Sequence, residues 1–158
     1  MDQIDEKGFR LNVGIILLND EKKVFLASRV GANTWQLPQG GINKGESFKA
    51  AMYRELFEEV GLTADNVEII ASTKDWLSYK FPKKYIKYNQ NPLCIGQKQR
   101  WFLLKLLVED SFIDLNTQKT PEFDDYCWVN YWDSKDMVIN FKKKVYNRAL
   151  KELYSFIG

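Results

Sequence analysis

Apolar residues recur along the chain in short runs that are typical of strands. Such runs predict strands at residues 11–18, 23–29, 67–76, 98–108 and 125–132. The first two are separated by the polar tetrapeptide at 19–22, which favours a β-hairpin. The intervening stretch at 31–45 is punctuated by glycine and by Pro38, so we interpret it as a loop.

A second apolar pattern, with a spacing of four, predicts an amphipathic helix in the middle of the chain. Ser47 is a plausible N-cap for this helix, and Gly61 provides its stop. The apolar stripe between them consists of Phe48, Met52, Leu56 and Val60. We expect a closing helix at 141–156, with core contacts from Val145, Leu150 and Leu153. No linker or repeat interrupts this order, so we expect one α/β domain over residues 1–158.

Length and composition restrict the class of protein. A chain of 158 residues with 45% apolar residues can form one domain with a proper core. Its apolar runs are too short to cross a bilayer, so no membrane contact is expected, and the N-terminus does not resemble a signal peptide. Cys94 and Cys127 are isolated in the sequence and are interpreted as reduced thiols. We therefore expect a cytoplasmic protein.

The chain contains no histidine. This excludes the usual general base near neutral pH, the commonest zinc ligand and nucleophiles activated by histidine. Carboxylates, lysines or tyrosines must therefore carry protons if the protein is an enzyme. Since carboxylate oxygens suit hard cations, Mg²⁺ or Mn²⁺ is favoured over zinc.

The net charge of +2 conceals basic segments at 74–105 and 135–151. Basic segments of this kind can meet phosphates, although a solvated lysine face is the simpler interpretation of either one alone.

The most informative residues are the glutamates of the central helix. Glu55, Glu58 and Glu59 lie within about one turn, where like charges destabilise a helix, and they occupy its C-terminal half, which the helix dipole disfavours for anions. A bound cation would explain this arrangement, whereas Glu58 and Glu59 alone would be an ordinary solvated face. The preceding loop can bring Glu46 to the same metal, and Arg54 can neutralise or orient a glutamate.

A divalent ion held by these glutamates would suit the hydrolysis of a pyrophosphate linkage. It would withdraw charge from a phosphoryl oxygen and lower the pKa of a bound water, and a glutamate could accept the proton of that water. Such a reaction needs charge neutralisation and in-line positioning more than a protein nucleophile.

Residues 40–62 fill every fixed position of one known signature. Reading from Gly40, the pattern is a glycine, five residues, Glu46, seven residues and then Arg-Glu-aliphatic-x-Glu-Glu-x-Gly-aliphatic. This stretch resembles the Nudix box, and the chain is similar to the Nudix hydrolases. The resemblance implies an α/β/α sandwich with a central mixed sheet. Segments such as TWQLPQGGINKGES and NPLCIGQKQRWFLL also resemble the bacterial RNA pyrophosphohydrolase branch, which is similar to the dinucleoside polyphosphate hydrolases.

The resemblance implies a set of metal-binding residues. Glu55, Glu58 and Glu59 are expected to carry the metals, more than one ion in all, with Glu55 as the favoured base. Glu122 matches a family position that adds a carboxylate from another loop, and its alternative role is a turn cap beside Pro121. Gly40 allows close backbone approach to metal and phosphates, which is compatible with its place in a tight turn.

The resemblance also implies contacts with RNA. Positions for phosphate or nucleobase contact are matched by Arg10, Arg29 and Lys142, and a stacking position by Phe141. Tyr79 and Gln97 are plausible additional contacts, and Ile139 stands where valine is usual. Aromatic stacking beside basic side chains is a common way to hold single-stranded RNA. Phe141 and Tyr79 could equally be core aromatics.

The expected activity is the trimming of a 5′-polyphosphate end of RNA to a monophosphate, which promotes mRNA decay. One alternative keeps the chemistry but takes dinucleoside polyphosphates as substrates. Another is a non-catalytic nucleotide- or RNA-binding module, which would be expected to lack carboxylates of the box. No such carboxylate is missing from this sequence.

Overall fold

Strand β1 (Phe9–Leu18) lies at the middle of a mixed sheet in the computed structural model, which describes residues 3–29 and 34–157. It runs parallel to β7 (Gly96–Leu106) over ten register pairs, from Phe9 with Gly96 to Leu18 with Lys105. The other strand pairs in the described residues are antiparallel. The remaining strands are β2 (Val24–Arg29), β3 (Trp35–Gln36), β4 (Gln39–Gly41), β5 (Val67–Ser72), β6 (Leu77–Lys80) and β8 (Phe123–Val129).

Each of the two central strands, β1 and β7, pairs along its outer edge with two different strands, one after the other. The middle of β1 pairs with β4 and its last residue pairs with β2, while β7 pairs with β6 near its start and with β5 near its end. Since β1 also pairs with β7, the strands β4, β1 and β7 lie side by side in the sheet.

Two helices cover the sheet, one on each face. Helix α1 (Phe48–Val60) packs on the core that contains Val13, Ile15 and Leu17, and α2 (Lys143–Leu153) packs on the core that contains Ile16 and Leu18. Alternate residues of β1 point to opposite faces, which is why this strand is apolar on both. The result is the α/β/α sandwich with a mixed sheet that was expected.

Most predicted elements are confirmed, with shifted bounds. The hairpin at 19–22 joins β1 to β2, and Ser47 and Gly61 bound α1. The closing helix contains only 143–153, because short 3₁₀ turns replace its ends at Asn140–Lys142 and Tyr154–Phe156. The core contacts Val145, Leu150 and Leu153 are all buried.

The loop interpretation of 31–45 was wrong where β3 and β4 lie. Short strands escape a periodicity argument, but they satisfy backbone groups that would otherwise be unpaired. Strand β6, in the basic and aromatic stretch before β7, was missed for the same reason. Residues 31–33 lie outside the described residues. No helix in the described parts of the chain is long and apolar enough to span a membrane.

Candidate active site

Helix α1 is held firmly at both ends. The Ser47 side chain accepts a hydrogen bond from the backbone N–H of Ala50 at 3.1 Å. Gly61 has a φ of 78°, a left-handed conformation that glycine adopts without steric cost, and its N–H donates to the carbonyl of Phe57. The hydroxyl of Thr117 donates to the carbonyl of Glu58 at 2.8 Å. These caps fix the turn of the helix that carries the glutamates.

The polar residues of α1 do not all face solvent. Glu55 is 9% exposed and Glu59 is 5% exposed, so two glutamates of the helix are buried among its apolar residues. Glu58 is more open, with 36% of its side chain exposed. Carboxylates are almost never fully buried unless they are paired, so Glu55 and Glu59 need compensation.

Arg54 supplies part of this compensation from the same helix. Its guanidinium binds Glu46 through two bonds, Nε to Oε2 at 2.8 Å and Nη2 to Oε1 at 2.9 Å. Its Nη1 donates to Glu55 at 2.8 Å and to Glu58 at 3.3 Å, and its Nη2 also donates to the carbonyl of Gly41 at 2.8 Å. The expectation that Arg54 neutralises and orients the glutamates is confirmed.

The same bonds occupy Glu46. Both of its oxygens accept from Arg54, and Oε1 also accepts the backbone N–H of Asn43 at 3.0 Å. The Arg54 hydrogen bond, followed by that of Asn43, holds the pKa of Glu46 below its usual range. A metal ion bound by Glu46, as predicted, would therefore compete with three hydrogen bonds that its carboxylate already accepts.

Glu59 is the least compensated carboxylate of the site. Both of its oxygens are buried, and neither receives a hydrogen bond from a donor in the described residues. Burial raises its pKa well above the ordinary value, and the neighbouring carboxyl groups of Glu55, Glu122 and Glu58 raise it further. Burial also raises the pKa of Glu55, although Arg54 opposes this effect.

These residues fit a divalent cation. The two orphaned oxygens of Glu59 need a positive partner, and hard carboxylate oxygens are the ligands that Mg²⁺ and Mn²⁺ prefer. Within 3–29 and 34–157, no three His, Cys, Asp or Glu side chains are already grouped as ligands of one ion. Arg54 explains this, because it draws the Glu46, Glu55 and Glu58 carboxylates towards itself. Mg²⁺ commonly takes only one or two carboxylates and completes its shell with water and substrate phosphates.

Gly40 lies against Glu55, and its approach to metal and phosphates stays a prediction. A Cβ at this position would overlap the carboxylate of Glu55. Strand β4 places Gly40 opposite Val13 of β1, which keeps its backbone next to α1. Only a residue without a side chain leaves room here for the carboxylate.

A cavity of about 310 Å³ opens beside Glu55 and brings together residues from five strands and α1. Six of the predicted site residues line it: Arg10, Arg29, Gly40, Glu55, Gln97 and Glu122. Positive and negative side chains thus face one space, which suits a polyphosphate bound through cations on one side and arginines on the other.

Glu122 enters this cavity from the chain just before β8. Its Oε1 lies 3.6 Å from Nη2 of Arg29, an exposed ion pair of small energetic value. Lys142 is half-buried near both. Burial and the charge of Arg29 lower the pKa of Lys142 to about 8, while Glu122 and Glu59 oppose the shift. Lys142 is therefore within electrostatic reach of the glutamates, although it does not line the cavity.

Phe141 belongs to a cluster of contacting rings, the aromatic group, which consists of Tyr79, Phe81, Tyr85 and Phe141. Ring centroids are 5.9 Å apart between Tyr79 and Phe141 and 5.4 Å apart between Tyr85 and Phe141. Phe141 is half-buried, so it has a core contact and an accessible part. The carbonyl of Ile139 accepts a hydrogen bond from the backbone N–H of Lys142. The described contacts do not bring the Ile139 side chain to the cavity.

Sequence reasoning missed a set of carboxamides at the cavity. Asn12, Gln36 and Gln39 line it, and Gln99 lies directly behind them. A polar residue at an inward strand position was the available signal, since Asn12 interrupts an apolar run and Gln97 and Gln99 alternate on one face of β7.

A larger cavity, of about 590 Å³, lies away from the glutamate helix, between the β1–β2 hairpin and residues 106–110. Its charged lining is mostly acidic, with Lys23 as its basic residue among the described positions. It is therefore poorly suited to a polyphosphate.

Solved structures share this fold. The Escherichia coli dihydroneopterin triphosphate pyrophosphohydrolase matches with a TM-score of 0.68 and 18% identity, covering 90% of this chain and 95% of that one. A binary complex of the Caenorhabditis elegans Ap4A hydrolase matches with a TM-score of 0.63 and 18% identity, covering 91% and 98%. At these identities the likeness shows the architecture alone.

The family follows from a match to the sequence itself. The family model described as the NUDIX domain matches residues 8–149, and the chain therefore belongs to the NUDIX domain family. Within curated proteins, the RNA pyrophosphohydrolase of Salmonella arizonae is 52% identical over 154 residues, covering 98% of this chain and 88% of the relative. RNA pyrophosphohydrolases of Salmonella newport and Salmonella agona match to the same extent.

Proposed function

We propose that this protein is a metal-dependent RNA pyrophosphohydrolase that converts the 5′-polyphosphate end of RNA to a 5′-monophosphate. One observation carries the proposal: the 310 Å³ cavity in which Arg10 and Arg29 face Glu55 and Glu122. The near full-length similarity to RNA pyrophosphohydrolases supports the choice of RNA. Such a substrate places the enzyme in the cytoplasm.

Glu55, Glu58, Glu59 and Glu122, with the backbone of Gly40, would hold the metal. Four carboxylates exceed the one or two that a single Mg²⁺ usually takes, which favours more than one ion of Mg²⁺ or Mn²⁺. When bound, the metal supplies charge withdrawal from the phosphate and a water of lowered pKa.

Glu55 is the residue suited to move the proton. Arg54 donates a hydrogen bond to Oε1 of Glu55, so Oε2 is the oxygen left to accept the proton. Burial raises the pKa of Glu55, and a base works best when its pKa lies near the working pH. Glu55 would accept the proton of the attacking water as the oxygen–phosphorus bond forms and the phosphoanhydride bond breaks. Pyrophosphate leaves from a triphosphate end, and orthophosphate leaves from a diphosphate end.

Glu46 acts one step away from the metal in this proposal. Because both of its oxygens bind Arg54, it holds the guanidinium that in turn holds Glu55 and Glu58. We therefore propose that Glu46 positions Arg54 and is not a ligand, which revises the expectation drawn from its place in the box.

The substrate end uses the opposite wall of the cavity. Arg10 and Arg29 would contact phosphates, Lys142 would add a cation beside Arg29, and Gln97 would offer an amide. Phe141, supported by Tyr79, would stack on a nucleobase. Ile139 would flank the base through the turn that also positions Lys142.

Release of 5′-monophosphate RNA from 5′-triphosphate RNA in the presence of Mg²⁺ tests the proposal. We expect turnover by the wild type and a loss of about 10²–10⁴-fold in kcat for Glu55→Gln, which retains shape but cannot take a proton. The matched control is Glu68→Gln, at an exposed glutamate of β5, which should leave kcat unchanged. Absence of monophosphate product from the wild type with either Mg²⁺ or Mn²⁺ would refute the proposal. An unchanged kcat in Glu55→Gln would refute the role of Glu55.

Dinucleoside tetraphosphates are the second candidate substrate. They also present a polyphosphate beside a base, so the cavity and the aromatic group admit them. The ratio of kcat/KM for 5′-triphosphate RNA and for diadenosine tetraphosphate separates the two candidates, and we expect it to favour RNA. A binding module without catalysis predicts no turnover of either substrate.

A further inference from the structure

Two sets of hydrogen bonds lie in the sheet behind the cavity. In the first set Gln99 of β7 binds Asn12 of β1 and Gln39 of β4, and in the second set Tyr79 of β6 binds Gln97, its register partner on β7. Gln99 is 0% exposed and Asn12 is 2% exposed. Burying amides in a sheet is costly unless their bonds are satisfied, so this set calls for a reason beyond packing.

Both bonds of the first set run outward from Gln99. Gln99 donates through Nε2 to Oδ1 of Asn12 at 2.8 Å and to Oε1 of Gln39 at 3.2 Å.

In the second set the Tyr79 hydroxyl donates to Oε1 of Gln97 at 2.7 Å. The oxygens of both terminal amides, Asn12 and Gln97, are thus taken by donors inside the protein. Their NH₂ groups are the ends left to face the cavity that both residues line.

The orientation of the Gln99 amide leaves its oxygen without a hydrogen bond from the described residues. That oxygen is buried. Turning the Gln99 amide over would point its oxygen at the oxygens of Asn12 and Gln39, so both hydrogen bonds would be lost unless those amides turned as well. The unsatisfied acceptor therefore accompanies the orientation that directs the Asn12 amide nitrogen to the cavity.

We propose that these two sets of hydrogen bonds are a positioning device that presents the amide N–H groups of Asn12 and Gln97 to the non-bridging oxygens of a bound polyphosphate. Tyr79 is a positioning residue in it, because its hydroxyl locks the Gln97 amide without touching phosphate. An amide has an acceptor and a donor end, and a phosphate accepts only the donor. The inference rests on the proposed function for the identity of the ligand as a polyphosphate.

The test removes one hydroxyl and keeps the ring. Tyr79→Phe preserves the contact with Phe141 but frees Gln97 to rotate. We expect KM for 5′-triphosphate RNA to rise about five- to tenfold, the value of roughly one hydrogen bond, with kcat within about twofold of wild type. Tyr126→Phe is the matched control, since Tyr126 is also partly buried against a ring, that of Phe25, and lies outside the cavity. It should leave KM unchanged.

A double-mutant cycle separates this role from simple packing. Gln97→Ala should raise KM about as much as Tyr79→Phe, and the two together should cost little more than either alone. Equal costs of Gln97→Ala in both backgrounds, or an unchanged KM in Tyr79→Phe, would overturn the proposal. Thermal unfolding of each variant establishes that it is folded.

A binding measurement keeps the inference distinct from the proposed function. Calorimetric titration with inorganic tripolyphosphate at fixed Mg²⁺, in a Glu55→Gln background, reports Kd without turnover. Tyr79→Phe should weaken this Kd by the same factor as KM. If the wild type fails to hydrolyse RNA while the Kd effect persists, the proposed function fails and the positioning device stands. An unchanged Kd overturns the device whatever the substrate.

Discussion

Helices α1 and α2 cover opposite faces of one sheet, yet they treat their polar residues in opposite ways. In α2 the buried residues are Val145, Tyr146, Ala149, Leu150 and Leu153. Its lysines and Arg148 lie outside the core. In α1 the buried residues include Glu55 and Glu59 beside Met52 and Leu56. One helix separates apolar from charged residues, and the other buries charge.

We infer from this difference that the buried residues of α2 serve packing, whereas the buried glutamates of α1 serve binding and catalysis. A helix whose packing alone mattered would lose nothing by replacing Glu59 with an apolar residue of similar volume, and replacing buried ionic groups in this way is often neutral or stabilising. A cation bound by these carboxylates, as proposed above, would explain why they are retained. Arg54 binds Glu55, whereas Glu59 accepts no hydrogen bond from the described residues.

Removing the arginine of each helix should give the largest contrast. Arg54→Ala leaves Glu46, Glu55 and Glu58 without their shared partner, so we expect the free energy of unfolding to fall by about 3 kcal/mol and kcat to fall by about 10²-fold. Arg148→Ala, at an exposed position of α2, should change the free energy of unfolding by less than about 0.5 kcal/mol. Urea denaturation and steady-state kinetics measure both. Equal stability losses in the two variants would remove the contrast.

A single methyl group tests how closely α1 approaches the sheet. In Gly40→Ala the new Cβ would overlap the Glu55 carboxylate, which must move. We expect kcat to fall about tenfold or more, with a stability loss of about 1–3 kcal/mol from overpacking. Single-turnover kinetics together with thermal unfolding distinguish the two effects. Wild-type kcat in a folded Gly40→Ala protein would contradict the placement of Glu55.

Lys142, just before α2, resembles the buried glutamates of α1 in that burial shifts its pKa. Its pKa is lowered to about 8, so it loses its charge as the pH rises through that value in the free enzyme. We expect kcat/KM for RNA to decline above about pH 8, and Lys142→Ala to have a kcat/KM several-fold lower below pH 8 without this decline. Lys49→Ala, at an exposed lysine of α1, should keep the wild-type profile. A decline retained in Lys142→Ala would assign it to another group.

The stability of the metal-free protein should also depend on Glu59. Its folded-state pKa is raised above the ordinary value of 4.5, so its contribution to stability is complete below pH 4.5 and is lost as the pH rises through the raised pKa. Glu59→Gln cannot ionise and should be more stable than wild type at pH 8 without metal, by about 1–3 kcal/mol. Urea denaturation in EDTA at pH 5 and pH 8 measures this difference. Equal stability of the two proteins at both pH values would show that ionisation of Glu59 does not destabilise the metal-free protein.

Local signals in the sequence were sufficient for α1, for the hairpin and for the order of layers. Ser47 and Gly61 act within one or two turns, and the spacing of Met52 and Leu56 reports a buried face directly. The burial of Glu55 was not predictable, because it depends on contact with Gly40 from a distant strand. The carboxamide series was invisible for the same reason: Asn12 and Gln99 become neighbours only through the parallel register of β1 and β7.

Binding of Mg²⁺ to the folded protein tests most directly whether α1 buries carboxylates in order to hold a cation. Thermal unfolding at pH 8 should show the wild type gaining about 1.4 kcal/mol of stability per bound ion for each tenfold rise in free Mg²⁺ above Kd. Glu59→Gln, already more stable without metal, should lose most of this dependence, and the control Glu68→Gln should keep it. Equal Mg²⁺ dependence in wild type and Glu59→Gln, or none in either, would contradict the account.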